Sequence, residues 1–277
     1  MGKNAGNAAA AREWYEKALE ISKRLAEQMK DDVDAQRNLS ISYNRLGDLE
    51  RDAGNAAAAR ELSEKALEIR KRHAEQMKDD VQAQRDLSIS YNRLGDLEKN
   101  AGNAAAAREW YEKALEIRKW LAEQMKDDVQ AQRDLSISYD NLGDLERNAG
   151  NAAAAREWYE KAMEIRKRLA EQMPDNVDAQ QGLSVSYERL GNMELAAGNA
   201  AAAREWYEKA LKIRKRLAEK APEDVTLQKN LKYLKMQLFL TSPRFLNTFA
   251  CIIILFIAVI IILFIVSIVM LVKWLFF

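Results

Sequence analysis

Gly6, Gly54, Gly102, Gly150 and Gly198 stand 48 residues apart. That fixed period constrains the fold more than any other feature of the chain. The phrase AGNAAAAREWYEKALEI occupies 5–21 and 101–117 and, with one change, 149–165. Residues 81–128 and 129–176 differ at seven positions, among them Asn92/Asp140, Arg93/Asn141 and Trp120/Arg168. A period of 20–50 residues means stacked units, none of which can bury its apolar face alone. The chain is thus an array and lacks the single closed core of a globule.

Each unit predicts two helices. In the first, Val81 to Asn100, the residues Leu87, Tyr91, Leu94 and Leu97 recur at spacings of four, three and three, which is one helical face. The second runs Ala104 to Met125, with Ala107, Tyr111, Ala114, Leu115 and Ile117 as its apolar stripe. Gly102-Asn103 between them reads as a stop and a start: Gly takes the left-handed position, and Asn caps the next helix. Lys126-Asp127-Asp128, Pro174-Asp175-Asn176 and Pro222-Glu223-Asp224 share one phase, and each ends one helix and opens another. The Ala tracts 8–11 and 104–107 predict close helix approach opposite Gly95. A helix-interior Gly costs about 1 kcal/mol relative to Ala, so its return at Gly47, Gly95, Gly143 and Gly191 calls for a compensating contact.

The pattern Tyr91-x2-Leu94-Gly95, Gly102, Ala107, Tyr111, Ala114 resembles the tetratricopeptide repeat consensus, with Tyr where that consensus often has Trp. It recurs as Tyr43/Leu46/Gly47/Gly54/Ala59/Ala66, as Tyr139/Leu142/Gly143/Gly150/Ala155/Tyr159/Ala162 and as Tyr187/Leu190/Gly191/Gly198/Ala203/Tyr207/Ala210. Ser63 replaces the aromatic in one unit, which predicts softer packing there. The family period is 34 residues; the longer unit here resembles bacterial tetratricopeptide proteins and the repeats of kinesin light chain. The resemblance implies an all-α, right-handed helical-hairpin solenoid. The expected layout is an N-terminal tail 1–4 and an array 5–222, made of a half unit 5–30 and four complete units. A degenerate capping helix 223–240, in which Lys235 replaces the Tyr and Phe239 the Gly, then leads to a linker 241–248. A cap of this kind is expected to be atypical and more polar.

Composition changes abruptly after Arg244. Phe249 to Val272 are 24 consecutive uncharged residues, nine of them Ile. At 1.5 Å per residue such a helix is about 36 Å long, enough for a bilayer core of about 30 Å. One transmembrane helix is therefore expected at 249–272, contacting the lipid bilayer, with a short tail 273–277. No apolar segment of the signal-peptide kind opens the chain. Lys229, Lys232, Lys235 and Arg244 precede the run and only Lys273 follows, which predicts a single-pass, tail-anchored protein whose repeats face the cytoplasm. Cys251 lies within the run and is expected to be inert.

Chemistry is harder to find. Lys plus Arg total 43 and Asp plus Glu 42, a balance that argues against a nucleic-acid partner. One Cys and one His exclude an internal disulfide and argue against a metal site, and no cofactor is implied. His73 stands where other units carry Leu25, Leu121, Leu169 and Leu217 and reads as drift. Trp14, Trp110, Trp158 and Trp206 read as packing, because aromatics at helical spacing usually are. Arg70-Lys71-Arg72 and Arg166-Lys167-Arg168 read as solvated faces paired through Glu68–Arg72 and Glu164–Arg168. No phosphate loop, nucleophile or paired-carboxylate motif appears, so no enzymatic activity is expected.

The expected function is a membrane-tethered scaffold that binds a protein or peptide. In the family, positions one, five and eight after the motif aromatic face the concave groove. Here they are Asn44/Asn92/Asp140/Glu188, then Asp48/Asp96/Asp144/Asn192, then Arg51/Lys99/Arg147/Leu195. The family's carboxylate clamp for chaperone tails carries Lys in the first row and Asn in the second. This chain departs from both, so the rows imply a partner segment with Lys or Arg instead. Alternatives are a structural protein that self-assembles end to end into a homo-oligomer, and a tail-anchored receptor in organelle fission or import.

Overall fold

The computed structural model describes residues 2–243, 245, 248, 260 and 267, with side chains from residue 10 onward. Among them the chain is all helical, ten helices in order: α1 Gly2–Gln28, α2 Val33–Asp52, α3 Ala56–Gln76, α4 Val81–Asn100, α5 Ala104–Gln124, α6 Val129–Asn148, α7 Ala152–Gln172, α8 Val177–Ala196, α9 Ala200–Lys220 and α10 Val225–Leu240. The expected tail at 2–4 is helical and continues into α1, which runs through Gly6-Asn7, the phase at which the later units turn. Within the expected linker 241–248, Pro243, Phe245 and Thr248 are helical. No helix of the described residues is long and apolar enough to cross a membrane. The expected spanning run 249–272 lies outside the described residues except for Ile260 and Ser267.

The chain forms two compact units, 1–165 and 166–277. In the first, each helix from α1 to α6 packs on the next; in the second, α8 packs on α9 and α9 on α10. Even-numbered helices are the first helices of their repeats and odd-numbered ones the second. Asp32, Asp80, Asp128, Asn176 and Asp224 cap the first helices, each accepting a bond from an amide two or three residues on, such as Asp80 Oδ1 from Ala83 N at 2.6 Å. The loop glycines Gly54, Gly102, Gly150 and Gly198 have φ of 81–83°, the left-handed stop that their position predicts.

The Asn after each of these glycines does something else. Asn55 and Asn103 make no side-chain cap bond to their own helices. The side-chain amides of Asn55, Asn103, Asn151 and Asn199 donate instead to Glu50, Glu98, Glu146 and Glu194, at 2.7–2.9 Å. Each Glu sits buried in the last turn of a first helix. A buried carboxylate without donors is far costlier than an uncapped amide facing water, so the amide turns inward.

Candidate functional site

The candidate rows lie on first helices, so what holds those helices fixes their geometry. Behind them stands the tyrosine of the second helix. A Cβ on Gly95 would sit 2.5 Å from the Tyr111 ring, on Gly143 2.6 Å from Tyr159, and on Gly191 2.7 Å from Tyr207. The nearest contact for these glycines is thus the aromatic ring, and at Gly47, which has no ring, it is the carbonyl of Ala59, the last residue of the Ala tract, at 3.4 Å from such a Cβ. Ala107 and Ala114, above and below Tyr111, are fully buried and let the two backbones close around it.

The ring also reaches the candidate rows. Tyr111 Oη donates to Asp96 Oδ1 at 2.6 Å, Tyr159 to Asp144 at 2.6 Å and Tyr207 to Asn192 at 2.7 Å. Burial, then the carboxylate of Asp96, drives the Tyr111 hydroxyl far above its ordinary value. Burial pushes Tyr207 up to about 12. The neutral phenol of Tyr111 serves as the donor to Asp96. Asp96 also accepts from Asn92, at 3.2 Å, and has Lys99 3.8 Å away; Arg147 lies 3.5 Å from Asp144. Where Ser63 replaces the tyrosine, its hydroxyl turns back to the carbonyl of Ala59 at 2.8 Å, and Asp48 pairs with Arg93 and with Arg51 at 2.9 Å.

The first row sits deeper than a contact row needs to. Asn44 and Asp140 are buried, Asn92 is half-buried, and Glu188 pairs with the buried Arg214. The side chain of Asn92 accepts from Arg118 at 3.4 Å and from Asn141 of the following first helix at 2.6 Å. The third row is the open one: Arg51, Arg147 and Leu195 are exposed, and Lys99 is half-buried.

Two linkages between repeats escape sequence reasoning. Arg70, read above as part of a solvated basic face, is buried. Its guanidinium donates to Ser40 Oγ of its own repeat at 3.0 Å, and to the Asp86 carbonyl and Ser90 Oγ of the next at 3.1 and 3.2 Å. Arg118 repeats this with Ser88, the Asp134 carbonyl and Ser138; Arg166 reaches Ser186; Arg214 reaches Ser184 and the Asn230 carbonyl. Burial lowers the pKa of Arg70 and Arg118, and the neutral oxygens around them satisfy the donors. The expected Glu68–Arg72 surface pair is present, at 3.4 Å. The second linkage joins Arg12 to Glu50, Arg60 to Glu98 and Arg108 to Glu146, at 2.5–2.6 Å. The only sequence signal for either was recurrence at one phase, which the alternating Ser88 and Ser90 share.

Three of the four recurring tryptophans pack as their spacing predicts; Trp14 does not, being 69% exposed with Lys17 over its ring at 5.2 Å. Trp110 stacks on Tyr91 and Trp158 on Tyr139, with centroids 5.7 Å apart, and Trp206 lies against Tyr187 at the same distance. Lys113, Lys161 and Lys209 cover the outer ring faces at 4.0–4.4 Å. Beside this layer, clefts recur at one repeat phase. One of about 500 Å³ is lined by Lys23, Glu27, Gln36, Tyr43 and Arg72, and its counterpart of about 340 Å³ by Lys167, Glu171, Gln180, Tyr187 and Arg216. His73 Nε2 lies 3.0 Å from Met77 Sδ, and the described residues contain no cluster of three metal ligands.

The family profile described as tetratricopeptide repeat matches residues 3–32, 40–76, 88–119, 136–178 and 184–223. Among solved structures the chain is similar to BtubC (BKLC) from P. vanneervenii, at 22% identity and a TM-score of 0.66, over 88% of this chain and 87% of that one. It is also similar to a thermophilic TPR protein of Thermus thermophilus, at 17% identity and a TM-score of 0.43, over 84% and 96%. A comparison with curated proteins returns no match.

Proposed function

The chain belongs to the tetratricopeptide repeat family, and on that premise we propose that it is a protein-interaction scaffold without catalytic activity. Its partner is a protein or peptide lying across α2, α4 and α6. The observation that carries this reading is the second row: Asp96 and Asp144 are each held from behind by a tyrosine hydroxyl, with side chains 40% and 17% exposed. Rigid, repeated carboxylates on successive helices suit a segment bearing Lys or Arg. Arg51, Lys99 and Arg147 stand beside them within reach of that segment's carbonyls or acidic groups. The apolar run 249–272 tethers the scaffold to a membrane, and the basic residues before it keep the repeats on the cytoplasmic side.

Charge reversal of Asp48, Asp96 and Asp144 together tests the binding face. Capture of a Lys/Arg-rich peptide at low salt is expected to weaken while the far-ultraviolet dichroism stays that of the parent. Unchanged capture moves the site elsewhere. Removal of 246–277 is expected to release a soluble helical protein from membranes; a fragment that stays in the membrane pellet refutes the tether.

A further inference from the structure

The two clefts beside the Tyr–Trp layer share a floor but not a charge. In the one lined by α7, α8 and α9, Leu183 is buried and Tyr187 half-buried at the base. At the rim stand Lys167 of α7 and Lys209, Lys212 and Arg216 of α9, against one carboxylate, Glu171. Spacings of three and four put the three α9 cations on one helical face. Among the described residues none of the four makes an ion pair. Lys167 and Lys212 are exposed and unpaired, Lys209 lies over the Trp206 ring at 4.0 Å, and Arg216 donates to the Pro174 carbonyl at 3.1 Å. The neighbouring Asp175 is taken by Lys220 at 2.7 Å.

The counterpart lined by α1, α2 and α3 is closed electrostatically. Its cations are Lys23, Lys30 and Arg72, and Glu68 pairs with Arg72 at 3.4 Å. Glu20, Glu68, Glu116 and Glu164 share one phase, and at that phase α9 carries a cation instead, Lys212. The exchange removes the carboxylate that would neutralise Arg216, one helical turn away, and adds a second cation beside it.

We propose that the cleft of α7, α8 and α9 binds a small organic phosphate monoester. Its phosphate lies among Lys167, Lys212 and Arg216, and its apolar body rests on Leu183 and Tyr187. At about 340 Å³ the cleft suits a small molecule. A carboxylate has one charge and two oxygens, which a single arginine fork satisfies; three cations from two helices match a dianion with three acceptor oxygens. The apolar floor favours an ester with an organic body over the bare ion. The site is separate from the carboxylate rows of the first helices and does not depend on them.

Calorimetric titration of the full chain with phenyl phosphate, at about 0.15 M salt, tests this. Saturable binding is expected, with a Kd below about 1 mM. Phenyl sulfate, which keeps the shape with a single charge, and inorganic phosphate, which lacks the body, are each expected to bind more weakly. Lys212→Glu is expected to weaken phenyl phosphate at least about tenfold. Lys212 is exposed, and α1, α3, α5 and α7 are helical with Glu at its phase, so the variant retains its fold, which dichroism checks. Lys65→Glu, on an exposed face of α3, makes the same change in net charge away from the cleft and is expected to leave binding unchanged. Absence of saturation at about 10 mM phenyl phosphate overturns the proposal. So does an equal loss in both variants, which reduces the attraction to net charge. Inorganic phosphate binding as tightly as the ester overturns it in favour of an adventitious ion only.

Discussion

The repeat around α4 and α5 and the one around α2 and α3 differ at a single decisive pair. In the former, Tyr111 fills the space over Gly95 and holds Asp96. In the latter, Ser63 leaves Gly47 facing only ordinary neighbours at 3.4 Å or more, and Asp48 is claimed by Arg93 of the next repeat. The glycine is common to both, but its reason is present in only one. A small residue in a repeat thus records a neighbour's size, and when the neighbour shrinks the residue persists without the constraint. The candidate face differs through a second position as well: a phenol positions Asp96 from within its repeat, whereas Asp48 pairs across the boundary with Arg93, at whose phase the next repeat carries Asn141.

The largest way to break this contrast is Tyr159→Ser, which recreates the α2–α3 arrangement between α6 and α7. Loss of a fully buried ring is expected to cost about 3–5 kcal/mol, read as the stability of that hairpin by hydrogen exchange. Next comes Gly95→Ala. Overpacking against Tyr111 is expected to cost about 1–3 kcal/mol, whereas Gly47→Ala is expected to be neutral or to stabilise by up to about 1 kcal/mol through helix propensity. Equal effects at both glycines, measured by thermal unfolding, refute the role given to the ring. Tyr111→Phe keeps the packing and removes only the bond to Asp96; it is expected to cost about 1 kcal/mol.

The smallest effect concerns acid. Asn151 and then Arg108 hold the Glu146 carboxyl below the ordinary glutamate value, and Arg12 and then Asn55 do the same for Glu50. A depressed folded pKa means stability that is present above the unfolded value, 4.5, and is lost as pH falls through the folded one. Glu146→Gln is therefore expected to flatten the loss of stability below about pH 4.5, read from denaturant midpoints across pH 2–7.

Much of the architecture was legible because it depends on period and punctuation. Helices α4 and α6, the Asp caps and the left-handed glycines follow from apolar spacing and turn chemistry, both local in the chain. What was not legible depends on where a long side chain ends. Arg70 and Arg72 look alike in sequence, two residues apart on a helix. One turns into the stack and the other to solvent, and only the helix packed against that face decides which. Asn103 failed as a cap for the same reason, because the buried Glu98 that claims its amide is five residues back, across the turn. On the candidate face, the rows were readable as phases, but the burial of Asn44 and Asp140 was not. The exposed Met236 and Phe239 on α10 also run against the expectation of a polar cap. That expectation rested on the solvent meeting the last helix, whereas an apolar segment follows it in sequence.

The arginine between successive first helices has a bearing on how long such a chain can be. Arg70 meets Ser90, Arg118 meets Ser138, and Arg166 meets Ser186 through the same guanidinium-to-hydroxyl bond. These three joints have the same two halves, so none of them distinguishes its neighbour, whereas Ser22 at the arginine's phase and Leu234 at the serine's mark the two ends. Excision or duplication of a whole 48-residue block between them at the gene level rejoins an arginine to an equivalent serine. The array is in this sense a ruler that can be cut or extended at its own graduations.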